Sequence, residues 1–406
     1  MNIEEYSFGV GDRFGSEGSA QLAAIAEICR LGIPVVPVWN KSNREHELVG
    51  TNQESVKAEA DQAVQTNGWT RSYYVDADHI TRSTVDKFIA SSNFFTLDVA
   101  QYIGKPADTL IKKDFIGRQS TNKRLVEGST LSLEKFADNF LLAIHEVCRL
   151  HEYIKERKTT DFICEVSMDE VSTAQNPMDL FLILKELKHL GIEIDTIAPK
   201  FTGLFPKGVD YEGDVDRFTR EFEEDILILE QARNEFGLEK KTKLSVHSGS
   251  DKFSIYPAIN RLVRKHDAGL HIKTAGTTWL EEVIGLARGG GDGLRIAKEV
   301  YAQGLSRFDE MAGPYATVLH IDRNCLPPAQ EVMTWDSGRL SRSLIHDPKC
   351  SDYNPHIRQL VHIAYKVAAE MGKEFRDALI HYRTPIEDQV YTNLLERHLK
   401  RLFLPI

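Results

Sequence analysis

Long apolar runs are missing from this sequence. No stretch approaches the roughly 18 uninterrupted apolar residues that cross a bilayer, so no membrane partner is expected. Cysteine is scarce: Cys29, Cys148, Cys164, Cys325 and Cys350 are scattered, odd in number and without CxxC spacing. That pattern excludes a disulfide framework or zinc knuckle and fits a reducing compartment. Basic excess is lacking too. A formal net charge of −10 argues against nucleic acid as a partner, although a local pocket can still hold an anion. Met1–Tyr6 carries acids and no apolar signal core, so a cytoplasmic protein is expected. No GxGxxG follows the first predicted strand, where Gly9-Val10-Gly11-Asp12-Arg13 forms a different pattern, so no nicotinamide is expected.

What is present is a regular alternation of strand-like and helix-like segments, the mark of parallel α/β architecture. Strands are predicted at Tyr6–Val10, Ile33–Val38, Ser72–Asp76, Phe94–Asp98, Phe162–Val166, Asp195–Ala198, Leu244–His247 and Leu270–Lys273. Helices are predicted at Ala20–Leu31, Glu54–Gln65, Arg82–Ala90, Leu133–Cys148, Asp216–Asn234 and Tyr256–Lys265. Another starts at Asn176-Pro177, an N-cap with proline at the first helical position, and stops near Gly191. The last opens with Thr278 and Glu281 at capping-box spacing. The segment Ala100–Gly128, holding Lys105, Lys112, Lys113, Arg118 and Arg124, shows no clear periodicity and reads as an insertion. Eight units within residues 1–290 match the roughly 250 residues of a (β/α)8 TIM barrel better than an open doubly wound sheet. Residues 291–406 read as a mostly helical C-terminal extension packing on the barrel, with helices over Asp292–Gln303 and Pro355–Met371.

In such a barrel the C-terminal strand ends form the active site. Here they carry Asp12 and Arg13, then Asp76, Asp78 and His79, then Asp98, Glu165, Asp169 and Glu170. Lys200, His247, Ser248, Ser250, His271, Lys273 and Thr274 follow. A strand-end acid such as Asp98 can simply cap the next turn. The convergence on one rim points instead to a cavity. His79, His247 and His271 with a carboxylate suit Zn, Mn, Ni or Co rather than Ca. Strand parity opposes His79, because Asp76 and Asp78 share a face and His79 falls on the other unless the chain turns at Asp78. Glu165, on a β-rich run, is expected to be desolvated with a raised pKa, unless an ion pair such as one with Lys200 holds it. Asp78 is its opposite partner across the cavity. Arg13, Lys200 and Lys273, with Ser248 beside them, predict a small anionic ligand, and the Gly276-Thr277-Thr278 turn offers further N–H donors.

The runs YYVDADHI (Tyr73–Ile80), ICEVSMDE (Ile163–Glu170), IAPKFTG (Ile197–Gly203), VHSGSDKFSIYP (Val246–Pro257) and LHIKTAGTTWLEE (Leu270–Glu282) together resemble the tagaturonate/fructuronate epimerase family. The resemblance implies a metal-dependent barrel isomerase that interconverts D-tagaturonate and D-fructuronate, 2-keto hexuronates differing at C4. It implies Asp78 as base, Glu165 as acid, and His79, His247 and His271 as metal ligands. A C4 proton is not acidified by a C2 ketone, so enolisation cannot invert that centre. Retro-aldol cleavage between C3 and C4, rotation of the aldehyde and re-addition can, with Arg13 or a lysine holding the carboxylate. The alternatives are a metal-dependent sugar isomerase or 3-epimerase, a class II-type aldolase, and a non-catalytic sugar-acid binding barrel. A homo-oligomer is compatible with any of these.

Overall fold

The computed structural model describes residues 2–120, 130–169, 171, 174–248, 250–274, 277–316 and 318–405. Arg124, Glu170 and Gly276 of the sequence reading lie outside the described residues. Eight parallel strands close in chain order: β1 (Tyr6–Gly11), β2 (Val35–Ser42), β3 (Tyr74–Ile80), β4 (Phe94–Asp98), β5 (Ile163–Ser167), β6 (Thr196–Ala198), β7 (Lys243–His247) and β8 (Leu270–Lys273). The expected barrel is therefore observed, with β1 pairing both β2 and β8.

Strand alternation divides the apolar residues into two cores. The larger lies between the barrel and its helices. The smaller is the barrel floor, where Val36, Val38, Tyr74, Phe94 and Ile163 pack inside the closed sheet, with Ile3 against them. Burying each such side chain contributes about 1.5–3 kcal/mol. Above this floor the strands turn Asp76, Thr96, Glu165, Thr196 and Lys273 inward, and that boundary sets the depth of the site.

Several elements differ from expectation. β3 runs four residues beyond its predicted end, so Asp78 and His79 are strand residues. Arg82–Ala90 forms only the short 3-10 turn Val85–Lys87, because Thr84 Oγ1 and Thr81 bond locally in place of a helical ladder. An unpredicted helix, Asn43–Val49, follows β2 and is started by a Ser42/Glu45 capping box. The insertion contains the helix Thr109–Ser120, whose apolar residues do not form one stripe. Pro355–Met371 is two helices, Pro355–Ile363 and Tyr365–Met371, separated at Ala364. The Asn176 cap is observed with Pro177 at the first position. Thr278 does not open its helix, which begins at Thr277, and its hydroxyl accepts a hydrogen bond from Gln21 at 2.8 Å.

The helices beyond the barrel are fastened to it at depth. Gly285 lets Thr277–Gly289 lie directly on Arg383–Thr392, since a Cβ there would stand 2.6 Å from Ile386 Cα. Asp251, in the loop after β7, is fully buried. It accepts from Arg358 at 2.8 Å and contacts His398 at 3.0 Å and His346 at 3.3 Å.

Candidate active site

Register places the polar side chains in layers. Thr96 pairs with Glu165, and Glu165 with Thr196, across β4, β5 and β6. On the facing wall His247 lies beside Lys273, and Ser245 beside His271, one layer deeper. Lys273 reaches across the barrel. Its Nζ sits 2.7 Å from Asp76, 2.9 Å from Asp78 and 2.9 Å from Glu165, and it also donates to Thr96. Glycine at position 9 makes that crossing possible, since a Cβ there would meet Asn40 Nδ2 at 2.8 Å and Lys273 Cγ at 3.1 Å.

Above this layer lie two imidazoles, each held by carboxylates. His247 contacts Glu165 at 2.9 Å through Nε2 and Asp169 at 3.1 Å through Nδ1. His79 contacts Asp78 at 2.9 Å, and the two rings stand 5.0 Å apart. The parity objection to His79 is resolved by a β-bulge. The β3–β4 register shifts between Ala77 and Ile80, and His79 takes a left-handed φ of 50°. A non-glycine residue in that region costs on the order of 1 kcal/mol or more, and such strain concentrates at functional sites.

Electrostatics follow from this packing. Burial alone would lower the Lys273 pKa, but Asp76, Asp78 and Glu165 outweigh it and hold the ammonium charged. Burial would raise Glu165, yet Lys273 and His247 push it well below the usual range, so the expected raised pKa is not observed. Its cations are these two, not Lys200. Asp78 is likewise held low, by Lys273 and His79 against its burial. Asp76 is the carboxyl that rises, to about 7, through burial and the charges of Asp78 and Glu165. Burial opposes charge on both imidazoles, but Asp78 lifts His79 to about 10, and Asp169 with Glu165 lifts His247 to about 9.

His79, Asp169 and His247 each offer one ligand atom, all within 4.8 Å of one another, and they form the metal-compatible set among the described residues. Two nitrogens and one carboxylate suit a borderline divalent ion. The charge fits as well, because two imidazolium protons now stand where a dication would replace them. His271 is not brought to this set. It is fully buried a layer below, 2.9 Å from Ser7 Oγ, with its pKa lowered to about 3 by burial. Asp169 takes the third place. Strand-end position flagged Asp169, but nothing in the sequence marked it as a member of this set.

The remaining expected residues are placed as follows. Arg13 is spoken for: it contacts Glu45 at 3.2 Å, donates to the His362 carbonyl at 2.8 Å and covers the Tyr365 ring at 3.9 Å. Ser248 donates to the Lys273 carbonyl at 2.7 Å and fixes the end of β8. Lys200 lies in the loop after β6, where its backbone bonds Gln175. Asp98 caps the turn at Ala100. Asp76, Thr96 and Thr196 are site residues that the rim reading undervalued or passed over.

Comparison with known proteins agrees with this fold. The profile of a family described as tagaturonate epimerase matches residues 1–123 and 103–404. A tagaturonate/fructuronate epimerase of Thermotoga maritima is 28% identical over 420 residues, covering 97% of this chain and 79% of that protein. A glycerol-complexed crystal structure of the fructuronate-tagaturonate epimerase of Cohnella laeviribosi superposes with a TM-score of 0.79 at 25% identity, covering 99% of this chain and 82% of that one. Its native crystal structure gives 0.78 at 24% identity.

Proposed function

This chain belongs to the tagaturonate epimerase family, and from that premise we propose how its barrel mouth inverts a carbinol carbon. The chain is an isomerase that interconverts D-tagaturonate and D-fructuronate. The observation that supports a mechanism is Lys273, which gathers Asp76, Asp78 and Glu165 directly beneath the His79–Asp169–His247 set.

His79, Asp169 and His247 would hold a divalent cation of the Zn, Mn, Ni or Co kind, which when bound offsets negative charge developing on the C2–C3 part of the substrate. Asp78, kept ionised by Lys273, takes the proton of the C4 hydroxyl. The C3–C4 bond then breaks, its electrons passing to the C2 ketone, and C4 becomes an aldehyde. Rotation about the C4–C5 bond presents its other face to C3. The bond re-forms, and the C4 oxygen regains a proton. Glu165 delivers that proton, which Asp76 holds and the Thr96 hydroxyl, 3.0 Å from Asp76 and 3.1 Å from Glu165, relays by donating on one side while accepting on the other; the proton taken by Asp78 returns to Asp76 before the next turnover. Asp78 and Glu165 lie on β3 and β5, either side of Thr96, so the two proton transfers have separate owners. Arg13 acts at one remove, through the residues it binds.

The test follows D-tagaturonate by NMR with metal-loaded and with chelated protein, in deuterium oxide. Metal-loaded protein is expected to yield D-fructuronate that keeps its original hydrogen at C4. A sugar isomerase or 3-epimerase would place deuterium beside the carbonyl, and an aldolase would release fragments. Deuterium at C4, or a nicotinamide released on denaturation, would overturn the retro-aldol route.

A further inference from the structure

His362 stands on the C-terminal helix Pro355–Ile363 and is 1% exposed. Its Nε2 lies 3.3 Å from Arg13 Nη2. A guanidinium can only donate, so Nε2 must accept, and the ring hydrogen therefore resides on Nδ1. That Nδ1 is buried and has no partner among the described residues. A buried donor left unsatisfied costs about 1–3 kcal/mol, so the place calls for an acceptor.

The surroundings specify the acceptor's charge. Burial, then the charges of Arg13, Lys207, Arg358 and Lys252, hold the His362 ring neutral. Three of these cations are already occupied. Arg13 is bound by Glu45 and the His362 carbonyl. Arg358 donates to the Gly208 carbonyl at 2.6 Å and to Asp251. Lys252 Nζ donates to the carbonyls of Pro206 and Val209 at 2.9 and 2.7 Å. Lys207 alone has an ammonium with no partner among the described residues. Its neighbour Gly208 has φ of +79°, and a Cβ there would stand 3.3 Å from His362 Cβ and 3.5 Å from the Arg358 carbonyl, so the loop after β6 is packed against the helix that carries His362. The cluster borders the site, because Arg13 binds Glu45 and Glu45 accepts from the backbone of Ser42, the register partner of Asp78 on the neighbouring strand.

We propose that His362 Nδ1–H and the Lys207 ammonium together seat the carboxylate of the hexuronate substrate, making them the residues that distinguish a sugar acid from the neutral sugar. The inference rests on the epimerase reading for the identity of the ligand. It assigns to the C-terminal helices a specificity role, beyond covering the barrel. Neither residue touches the reacting carbon, so both act on affinity.

Titration calorimetry of wild type, Lys207→Met and His362→Gln with D-tagaturonate and with D-tagatose tests this. Lys207 is on a partly exposed loop, so its variant is informative even if the buried His362 variant fails to fold. Each variant is expected to bind D-tagaturonate about 10–100-fold more weakly, the value of a charge-assisted hydrogen bond, while D-tagatose binding moves less than about 2-fold. Equal weakening for both sugars, or no weakening for the acid, overturns the seat. Wild type that binds no D-tagaturonate sinks the epimerase reading with it, whereas normal wild-type binding with unmoved variants sinks the seat alone.

Discussion

Replacing Lys273 with methionine removes one charge at nearly constant volume. The Nζ contacts with Asp78 and Glu165 are 2.9 Å, and that with Asp76 is 2.7 Å. Any two of those oxygens are therefore no farther apart than twice the longer contact, about 5.8 Å. At an effective dielectric of about 20 each such pair repels by about 3 kcal/mol. Removing one partner of a buried ion cluster costs about 3–5 kcal/mol in practice. Lys273→Met should accordingly lose about 3–5 kcal/mol of unfolding free energy at pH 8 in chelator, lowering the urea midpoint by about 1–2 M. Adding Asp76→Asn removes one of the facing charges and should restore about half of that loss. Denaturation followed by circular dichroism gives both numbers. A single variant as stable as wild type, or a double variant no better than the single, would refute the claim that the ammonium holds the carboxylates together.

Outer-sphere changes at metal centres cost 10–100-fold in affinity, so Asp169→Asn and His79→Ala should each lose at least about 100-fold by equilibrium dialysis and elemental analysis. His271→Gln should retain the wild-type metal content in the same assay, and a loss would return His271 to the ligand set. Gly9→Ala should be destabilised by about 1–3 kcal/mol through overpacking against Asn40 and Lys273, with kcat falling more than KM rises. Asp225, buried on the helix Val215–Phe236, has a pKa raised to about 8 by burial and by Glu221 and Glu224. Its folded value exceeds its unfolded value near 3.8, so stability is lost as pH rises from about 4 through about 8. Asp225→Asn should match wild type near pH 4 and exceed it increasingly up to pH 8 in urea midpoints. A constant difference across that range would contradict the burial argument.

The barrel was legible because alternation and strand-terminal polarity are local properties, and β8 begins and ends where the pattern puts it. What eluded the sequence was depth. His271 and Lys273 share a face of β8, and a single two-residue step separates a histidine sealed in the interior from a lysine at the centre of the carboxylate cluster. His79 defied parity because a bulge is a tertiary adjustment, with no glycine or proline to announce it. Arg13 read as a free cation, since its partner His362 lies 349 residues away on a helix whose docking no local pattern reveals. Glu165 looked like a raised-pKa acid for the same reason: its desolvation could be read from the strand, but not the Lys273 ammonium that reverses it.

The knot at Asp251 restricts which chimaeras of this enzyme can work. One carboxylate, Asp251, four positions after His247 in the chain, secures three separate stretches of the tail, at His346, Arg358 and His398. A borrowed tail lacking an equivalent of Arg358, His346 or His398 would leave Asp251 buried and unpaired. Recombination between the two segments should yield chains that misplace His247 before any substrate is met.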